Sequence, residues 1–308
     1  MVSAPPIKKD NAKSRAALIS VASNSTLVVL KLGVGLFIGS VAVISEAIHS
    51  GIDLVAAMIA YYAVRVADTP PDEGHPYGHG KIESISGTVE AMLIFAAGLW
   101  VIHEAILGIL HPKVTSTPIW GIAVMAVSGV VNTVVSRHLH QVAEAHDSIA
   151  LRADAHHLRI DVYTSIGVFA GLGLVALTGW HILDPLVAIG VGVLILHTAY
   201  GITKQAFSPL VDSALPPEEV AAVEEALRSD SRVRGWHHLR TRKAGSCRFV
   251  DFHLLLDDDL TLAVSHAIAH EVKHRIQAAL PGALVEIHTE PFEEEIRAKG
   301  EAIKLRES

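Results

Sequence analysis

Six runs of apolar residues, each of about the length that crosses a lipid bilayer, constrain the fold of this chain more than any other feature. A spanning helix needs about 20 predominantly apolar residues, and a backbone in lipid must satisfy its hydrogen bonds internally. The sequence therefore predicts a bundle of six transmembrane helices. They are expected at 16–38, 42–64, 85–110, 119–135, 155–177 and 182–206.

The composition agrees with an integral membrane protein. Hydrophobic residues make up 50% of the 308 residues, and charged residues make up 19%. The mean hydropathy of +0.40 is high for a soluble protein of this size. The 25 Lys and Arg against 32 Asp and Glu leave no basic excess, so no nucleic-acid partner is expected. Cys247 is the single cysteine, so an internal disulfide is excluded.

Positive charges are distributed unevenly between the two sides of the predicted bundle. They are concentrated in residues 1–15 and in the joints that contain Lys81, Arg137 and Arg152, whereas the other joints together hold one Lys. Basic loops are retained in the cytoplasm, so both termini are expected to be cytoplasmic, with 1–15 as a tail. The first span lacks a small-residue cleavage site, so it is predicted to be a retained helix rather than a signal peptide.

The sequence pattern changes after Pro209. An acidic helix is followed by two alternating segments, RFVDFHLLL and ALVEIHTE, with a long amphipathic helix between them. Such alternation predicts half-buried strands. Residues 209–291 are therefore expected to form a small α/β domain after the membrane domain at 16–208. Residues 292–308 are expected to be a charged tail, loose or helical.

Two histidine–aspartate pairs interrupt the apolar runs. His49 and Asp53 lie four residues apart in the second predicted helix, and His157 and Asp161 have the same spacing in the fifth. Residues four apart share a helix face, so each helix can offer one nitrogen and one oxygen to a shared ion. Four such ligands suit tetrahedral zinc. A hydrogen-bonded packing role is the alternative for either pair alone, and the presence of two matched pairs argues against it.

These pairs, the segment HPYGHGKIES after the second span, and the small C-terminal domain together resemble the cation diffusion facilitator family over residues 14–291. The resemblance implies an all-α six-helix transmembrane bundle and a ferredoxin-like, metallochaperone-like α/β domain in the cytoplasm. It implies a homodimeric exporter of divalent metal, usually zinc, driven by inward proton flow, and not an enzyme. The four ligands of the intramembrane transport site would be His49, Asp53, His157 and Asp161.

The resemblance also implies two further metal sites and a hinge. Asp72, His75 and His79 correspond to a loop site between the second and third spans. Lys81 and Asp212 correspond to a charge pair at the hinge between the domains. The residues that correspond to a two-metal cytoplasmic site at the dimer contact are His237, His253, His266, His288 and Glu290. Glu290 replaces the usual Asp. The alternatives are a solvated turn for the loop and inert surface histidines for the domain.

Ligand chemistry narrows the choice of metal. Some family members carry Asp at the position of His49, and the histidine form resembles the more zinc-restricted members. An imidazole in place of a hard carboxylate oxygen disfavours manganese, magnesium and calcium relative to zinc. Protons compete with zinc for neutral imidazole, which provides a basis for antiport. The alternatives are an exporter of manganese, iron, cobalt or cadmium, or a metal sensor that does not transport.

The segment HEVKH, His270 to His274, matches the zinc-protease pattern in which Glu271 would be the general base. The helix is expected to bury Ile268 and Val272, which would place the histidines on its other side, so proteolysis is a remote alternative.

Three polar membrane residues, Asn24, Lys31 and Glu90, are left as candidates for a water or proton route or for packing. His156 is excluded as a ligand because it points about 100° away from His157. A bacterial inner membrane is expected because the joint before the fifth span lacks a long histidine-rich insertion.

Overall fold

The computed structural model describes residues 11–39, 41–110, 119–180, 182–293 and 304–305, apart from some side chains within the helices. The chain divides into a helical unit that ends at Phe207 and a C-terminal unit that begins at Ser208. Residues 1–10 of the predicted tail, and most of 292–308, lie outside the described residues.

Within the described residues, the helical unit has six long helices, as predicted. The helices are α1 Asn11–Ile38, α2 Val41–Ala67, α3 Lys81–Leu110, α4 Ile119–His146, α5 Ile149–Thr178 and α6 Leu183–Phe207. Four of them, α1, α2, α3 and α6, are long and apolar enough to cross a membrane by length and composition. Charged residues are concentrated in the first half of α5, which lowers its hydropathy.

The helices continue beyond the predicted apolar spans at one end of the bundle. There α1 begins at Asn11, α3 begins at Lys81, α4 extends to His146 and α5 begins at Ile149. The basic residues assigned to joints are therefore helical. The hydropathy of the sequence indicates where a helix leaves the lipid. The helix itself can continue into water, because its backbone hydrogen bonds do not depend on lipid. The start of α5 is set by Ser148, whose hydroxyl accepts a hydrogen bond from the backbone N–H of Leu151.

Small residues allow α3 and α6 to approach closely. A Cβ atom added at Gly98 would lie 2.9 Å from the Leu196 side chain, and one added at Gly192 would lie 2.5 Å from the Ile102 side chain. Both distances are shorter than van der Waals contact, so larger residues would separate the helices. Glycine at a helix interface permits tight packing where no hydrophobic force drives association in lipid.

The end of the bundle at which α1 begins is closed by apolar packing and by a buried ionic cluster. Lys13 of α1 pairs with Asp68, just after α2, and its Nζ lies 3.1 Å from Glu83 Oε1 of α3. The Ser148 hydroxyl donates to the other Glu83 oxygen at 2.6 Å. All four residues are buried. This Lys13 cluster, formed by Lys13, Asp68, Glu83 and Ser148, therefore joins four helix ends.

The C-terminal unit is a small α/β domain, as predicted. Its elements are α7 Pro217–Arg228, β1 Gly235–Ala244, β2 Cys247–Leu256, α8 Leu262–Ala279, β3 Leu284–Pro291 and β4 Lys304–Leu305. The sheet has the strand order β3-β2-β1-β4 over the described residues. Strands β1 and β2 are antiparallel, and α8 connects β2 to the parallel strand β3.

The predicted faces of β2 are confirmed, because Val250, Phe252 and Leu254 are buried while Asp251 is exposed. Strand β1 was not predicted, since its second half is rich in polar side chains. Residues Lys304–Leu305 pair with β1 and are extended rather than loose or helical.

Candidate metal centres

The two histidine–aspartate pairs meet between α2 and α5. Ligand atoms of His49, Asp53 and Asp161 lie within 4.8 Å of one another. Asp53 Oδ1 is 4.0 Å from His49 Nε2 and 3.0 Å from His157 Nε2. Asp53 is therefore the central group, and the structure brings together all four residues named from the sequence.

A cavity of about 130 Å³ lies beside these residues. Asp53 and His157 are buried, whereas the His49 side chain is 52% exposed. The cavity is lined by the second half of α1, the first halves of α2 and α4, and the middle of α5. It therefore lies on the side of the group that faces away from the Lys13 cluster.

Two polar side chains lie next to this group, of which Lys31 was singled out from the sequence and Asn132 was not. Asn132 of α4 donates from Nδ2 to Asp161 Oδ2 at 3.3 Å. Lys31 of α1 is buried, lines the same cavity and donates to Ser50 Oγ at 2.8 Å. A partner such as Asn132, which contacts a candidate ligand directly, orients that ligand. The only sign of this role in the sequence is that Asn132 is a polar residue within the apolar run of α4. Its partner could not be predicted, because the contact with Asp161 joins two different helices.

The loop between α2 and α3 forms a second group. The ligand atoms of Asp72, His75 and His79 lie within 4.8 Å of one another. Asp72 accepts from the backbone N–H of His75 at 2.6 Å, and its other oxygen is 3.4 Å from His79 Nε2. The backbone N–H of His75, and then the His75 side chain, hold the pKa of the Asp72 carboxyl below its ordinary value. Gly78 at φ +82° allows the tight turn that folds these side chains together.

The sheet of the C-terminal unit carries a third group. Glu290 Oε2 lies 2.7 Å from His237 Nε2, and Glu290 Oε1 lies 2.8 Å from His253 Nδ1 and 3.5 Å from His288 Nε2. Burial acts to raise the pKa of Glu290, but the hydrogen bonds with His237 and His253 outweigh it and the pKa is lowered. Neighbouring strands place His237 opposite His253 and His253 opposite His288.

The structure does not bring His266 into this third group. The α8 residues Ile268 and Val272 are buried in the domain core, which leaves His266 on the exposed face. Its ring lies 4.9 Å from that of His270. His238, not assigned from the sequence, lies next to the group instead. Its ring is 5.2 Å from that of His253, at a bulge where His238 adopts φ +50°.

The hinge pair predicted from the sequence consists of residues in different units. Asp212 Oδ1 lies 3.5 Å from Arg242 Nη1 within the C-terminal unit. Lys81 begins α3 in the helical unit. Their pairing stays a prediction.

The HEVKH segment does not form a protease centre. Glu271 is paired with Arg232, and this hydrogen bond holds the pKa of Glu271 below its ordinary value. Over the described residues, no group of three potential metal ligands includes His270 or His274. A carboxylate held by arginine is an ion pair rather than a poised base.

The ring of His156, which was excluded as a ligand, lies 6.2 Å from that of His140.

Comparison with known proteins identifies the family. A model of the cation efflux transmembrane domain matches residues 17–211, and a model of the cation efflux protein cytoplasmic domain matches residues 215–292. An uncharacterized transporter of Synechocystis sp. is 36% identical over 280 residues, which cover 90% of each chain. Cation-efflux pump FieF of Citrobacter koseri is 33% identical over 278 residues, 90% of this chain and 92% of that protein.

Two solved structures of CzrB, described as a candidate zinc transporter, are also similar to part of the chain. They are 36% identical, cover 25% and 27% of this chain and 98% and 96% of their own, and have TM-scores of 0.24 and 0.25. The family models span both units of the fold. The chain therefore belongs to the cation diffusion facilitator family, and it is an integral membrane cation efflux transporter rather than an enzyme.

Proposed function

We propose that this protein exports zinc from the cytoplasm in exchange for protons, with His49, Asp53, His157 and Asp161 as the transport site. The observation that carries the proposal is the convergence of two imidazoles and two carboxylates from α2 and α5 around Asp53. Two carboxylates neutralise a divalent ion, and two imidazoles supply the nitrogen ligands that zinc favours over hard cations.

Proton coupling follows from the same ligands. Zinc binds the deprotonated forms of His and Asp, so each bound metal displaces protons and each arriving proton weakens metal binding. Access from only one end of the bundle at a time is required for exchange. The cavity beside the site and the closed end at the Lys13 cluster are what an alternating-access cycle needs in one of its states.

The loop group and the sheet group are proposed as further zinc sites. Asp72, His75 and His79 would hold an ion at the end of α2, on the cytoplasmic side. The sheet group of His237, His253, His288 and Glu290 would hold regulatory zinc in a homodimer, with His266 contributed to that site in the assembled state. The Lys81–Asp212 pair would act as the hinge. A bacterial inner membrane with cytoplasmic termini is the proposed location.

A flux assay tests the proposal. The purified chain is placed in proteoliposomes with an imposed pH gradient, and the uptake of zinc, cadmium, cobalt, iron and manganese is compared. We expect zinc uptake that collapses when a protonophore removes the gradient. Zinc binding without flux would instead favour a sensor, and faster flux of another metal would overturn the assignment of zinc.

Replacing His49 with Asp is expected to broaden the metal range. The change removes one of the two imidazoles that favour zinc and adds a negative charge, so discrimination against other divalent ions weakens, and the ratio of cadmium to zinc flux should rise by about tenfold, the lower end of what altering a metal site's surroundings produces. The same vesicle assay measures the ratio. His103→Asp, at an exposed histidine on α3, is the matched control and should leave the ratio unchanged. An unaltered ratio in His49→Asp contradicts the role assigned to His49.

A further inference from the structure

Two buried carboxylates lie between the transport site and the Lys13 cluster. Glu90 of α3 is 0% exposed and Asp154 of α5 is 1% exposed. Along α5, Asp154 follows Ser148 of the Lys13 cluster and precedes His157 and Asp161 of the transport site. These acids therefore occupy the closed part of the bundle, on the opposite side of the transport site from the cavity.

The two carboxylates lie at one contact between α3 and α5. Both helices begin at the Lys13 cluster, so they run parallel. A Cβ at Gly87 would lie 2.9 Å from the Ile149 side chain. Glu90 and Asp154 follow those two residues by about 4.5 and 7.5 Å along the helix axes, at 1.5 Å per residue.

The packing around these acids agrees with this placement. Their chain neighbours Ala91 and Ala153 are buried in the same apolar cluster. The charge of Asp154 also acts on Glu90.

The hydrogen bonding of this pair is incomplete. Glu90 Oε2 and Asp154 Oδ2 are buried with no hydrogen-bond partner. The other Glu90 oxygen accepts only a long bond of 3.5 Å from Ser86 Oγ, and Ser20 interacts with Asp154. Burying a carboxylate oxygen without a partner is strongly unfavourable. A bound proton or water is the usual resolution of such a group.

The surroundings favour a proton over a metal. Two buried carboxylates whose charges act on each other in a low-dielectric interior are not both ionised at low cost, so a proton on at least one of them is the favourable state. The charged groups that act on the pair are His157 of α5 and Asp53 of α2, while Lys13 of α1 is held by Asp68 and Glu83. Among the described residues, no third ligand joins the two acids within metal-binding distance.

We propose that Glu90 and Asp154 form a proton-holding pair that carries protons between the transport site and the end of the bundle closed by the Lys13 cluster. The proposal rests on the proposed proton coupling. A hydronium ion on the cavity side gives up a proton: one of its O–H bonds breaks, a water molecule remains, and a new O–H bond forms with one carboxylate oxygen of the pair. When the Lys13 end opens, that bond breaks, the proton passes to a water molecule there, and the electron pair stays on the carboxylate.

The first test measures protonation directly. Infrared difference spectra between neutral and alkaline buffer report protonated carboxyl groups through their C=O stretch. We expect the band in the wild type and in Glu104→Gln, which removes an exposed carboxylate of the same helix. We expect a much weaker band in the near-isosteric double variant Glu90→Gln/Asp154→Asn. An undiminished band in the double variant overturns the proposal.

The second test separates proton transfer from metal binding. In Glu90→Gln proteoliposomes, zinc–proton exchange should fall by about a hundredfold, the lower end of what positioned proton transfer contributes. Zinc–zinc exchange, which needs no net proton movement, should stay within about twofold of the wild type, since no transport ligand has changed. If zinc–proton exchange in both Glu90→Gln and Asp154→Asn is as fast as in the wild type, the route is contradicted.

A loss of zinc–zinc exchange equal to the loss of zinc–proton exchange would indicate a structural role for the pair and also overturns the route. If zinc flux in the wild type does not change with the proton gradient, the proton coupling itself is overturned. Any route that depends on that coupling is then overturned as well. The wild-type measurement therefore separates failure of the proposed function from failure of this inference.

Discussion

Replacing Asp53 with Asn is expected to lower zinc flux by at least about a hundredfold while the chain remains folded. Asp53 Oδ1 is the atom nearest to both histidines, at 4.0 Å from His49 and 3.0 Å from His157. The amide keeps the shape but removes one of the two charges that neutralise the ion. Changes to residues that only support metal ligands already cost 10–100-fold, so loss of a ligand charge should exceed that range. Zinc flux into proteoliposomes and calorimetric zinc titration measure the effect.

Glu271→Gln is the matched control for this prediction. It removes one carboxylate charge in the same way, but at the HEVKH helix, where Glu271 is an exposed partner of Arg232. Its flux should equal that of the wild type. Normal flux in Asp53→Asn would refute the transport site, and loss of flux in Glu271→Gln alone would favour chemistry at the HEVKH helix.

Replacing Lys13 with Ala is expected to reduce the free energy of unfolding by about 3 to 5 kcal/mol, the range measured when one partner of a buried ion pair is removed. The substitution leaves Asp68 and Glu83 buried without their cation. Those acids must then take up protons or draw water into the closed end of the bundle. Thermal or denaturant unfolding in detergent measures the loss.

Two comparisons distinguish this ionic effect from simple truncation. Arg15→Ala shortens an exposed cation on the same helix and should change stability little. Adding Asp68→Asn and Glu83→Gln to Lys13→Ala removes the unpaired charges and should recover most of the lost stability. Equal stability of Lys13→Ala and the wild type would show that the Lys13 cluster does not hold the helix ends together.

The four intramembrane ligands could be predicted from the sequence because helical periodicity is a local property. Four-residue spacing places His49 with Asp53 and His157 with Asp161 on one face of each helix, whatever the rest of the fold does. The loop group could be predicted for a similar reason, since Asp72, His75 and His79 are close in the chain. The sheet group depended on pairing between strands, and there His238 was missed and His266 lies on the exposed face of α8.

Buried polar partners were the least predictable part of the molecule. Glu90 was visible only as an acid in an apolar run, and Asp154 fell in a segment predicted to precede the fifth span. Their relationship arises from the parallel packing of α3 and α5 at Gly87, which no local pattern encodes. The same holds for Asn132 beside Asp161 and for the four residues of the Lys13 cluster.

By itself, the sequence determined which segments are helices, which helices are apolar, and which faces carry metal ligands, because hydropathy and residue spacing act within one segment. Only the tertiary structure decided which faces meet, which end of the bundle is closed, and which buried charges are left without partners. Those features depend on contacts between residues far apart in the chain, such as Asp53 and His157, which are 104 positions apart, and such contacts are set by packing of the whole bundle.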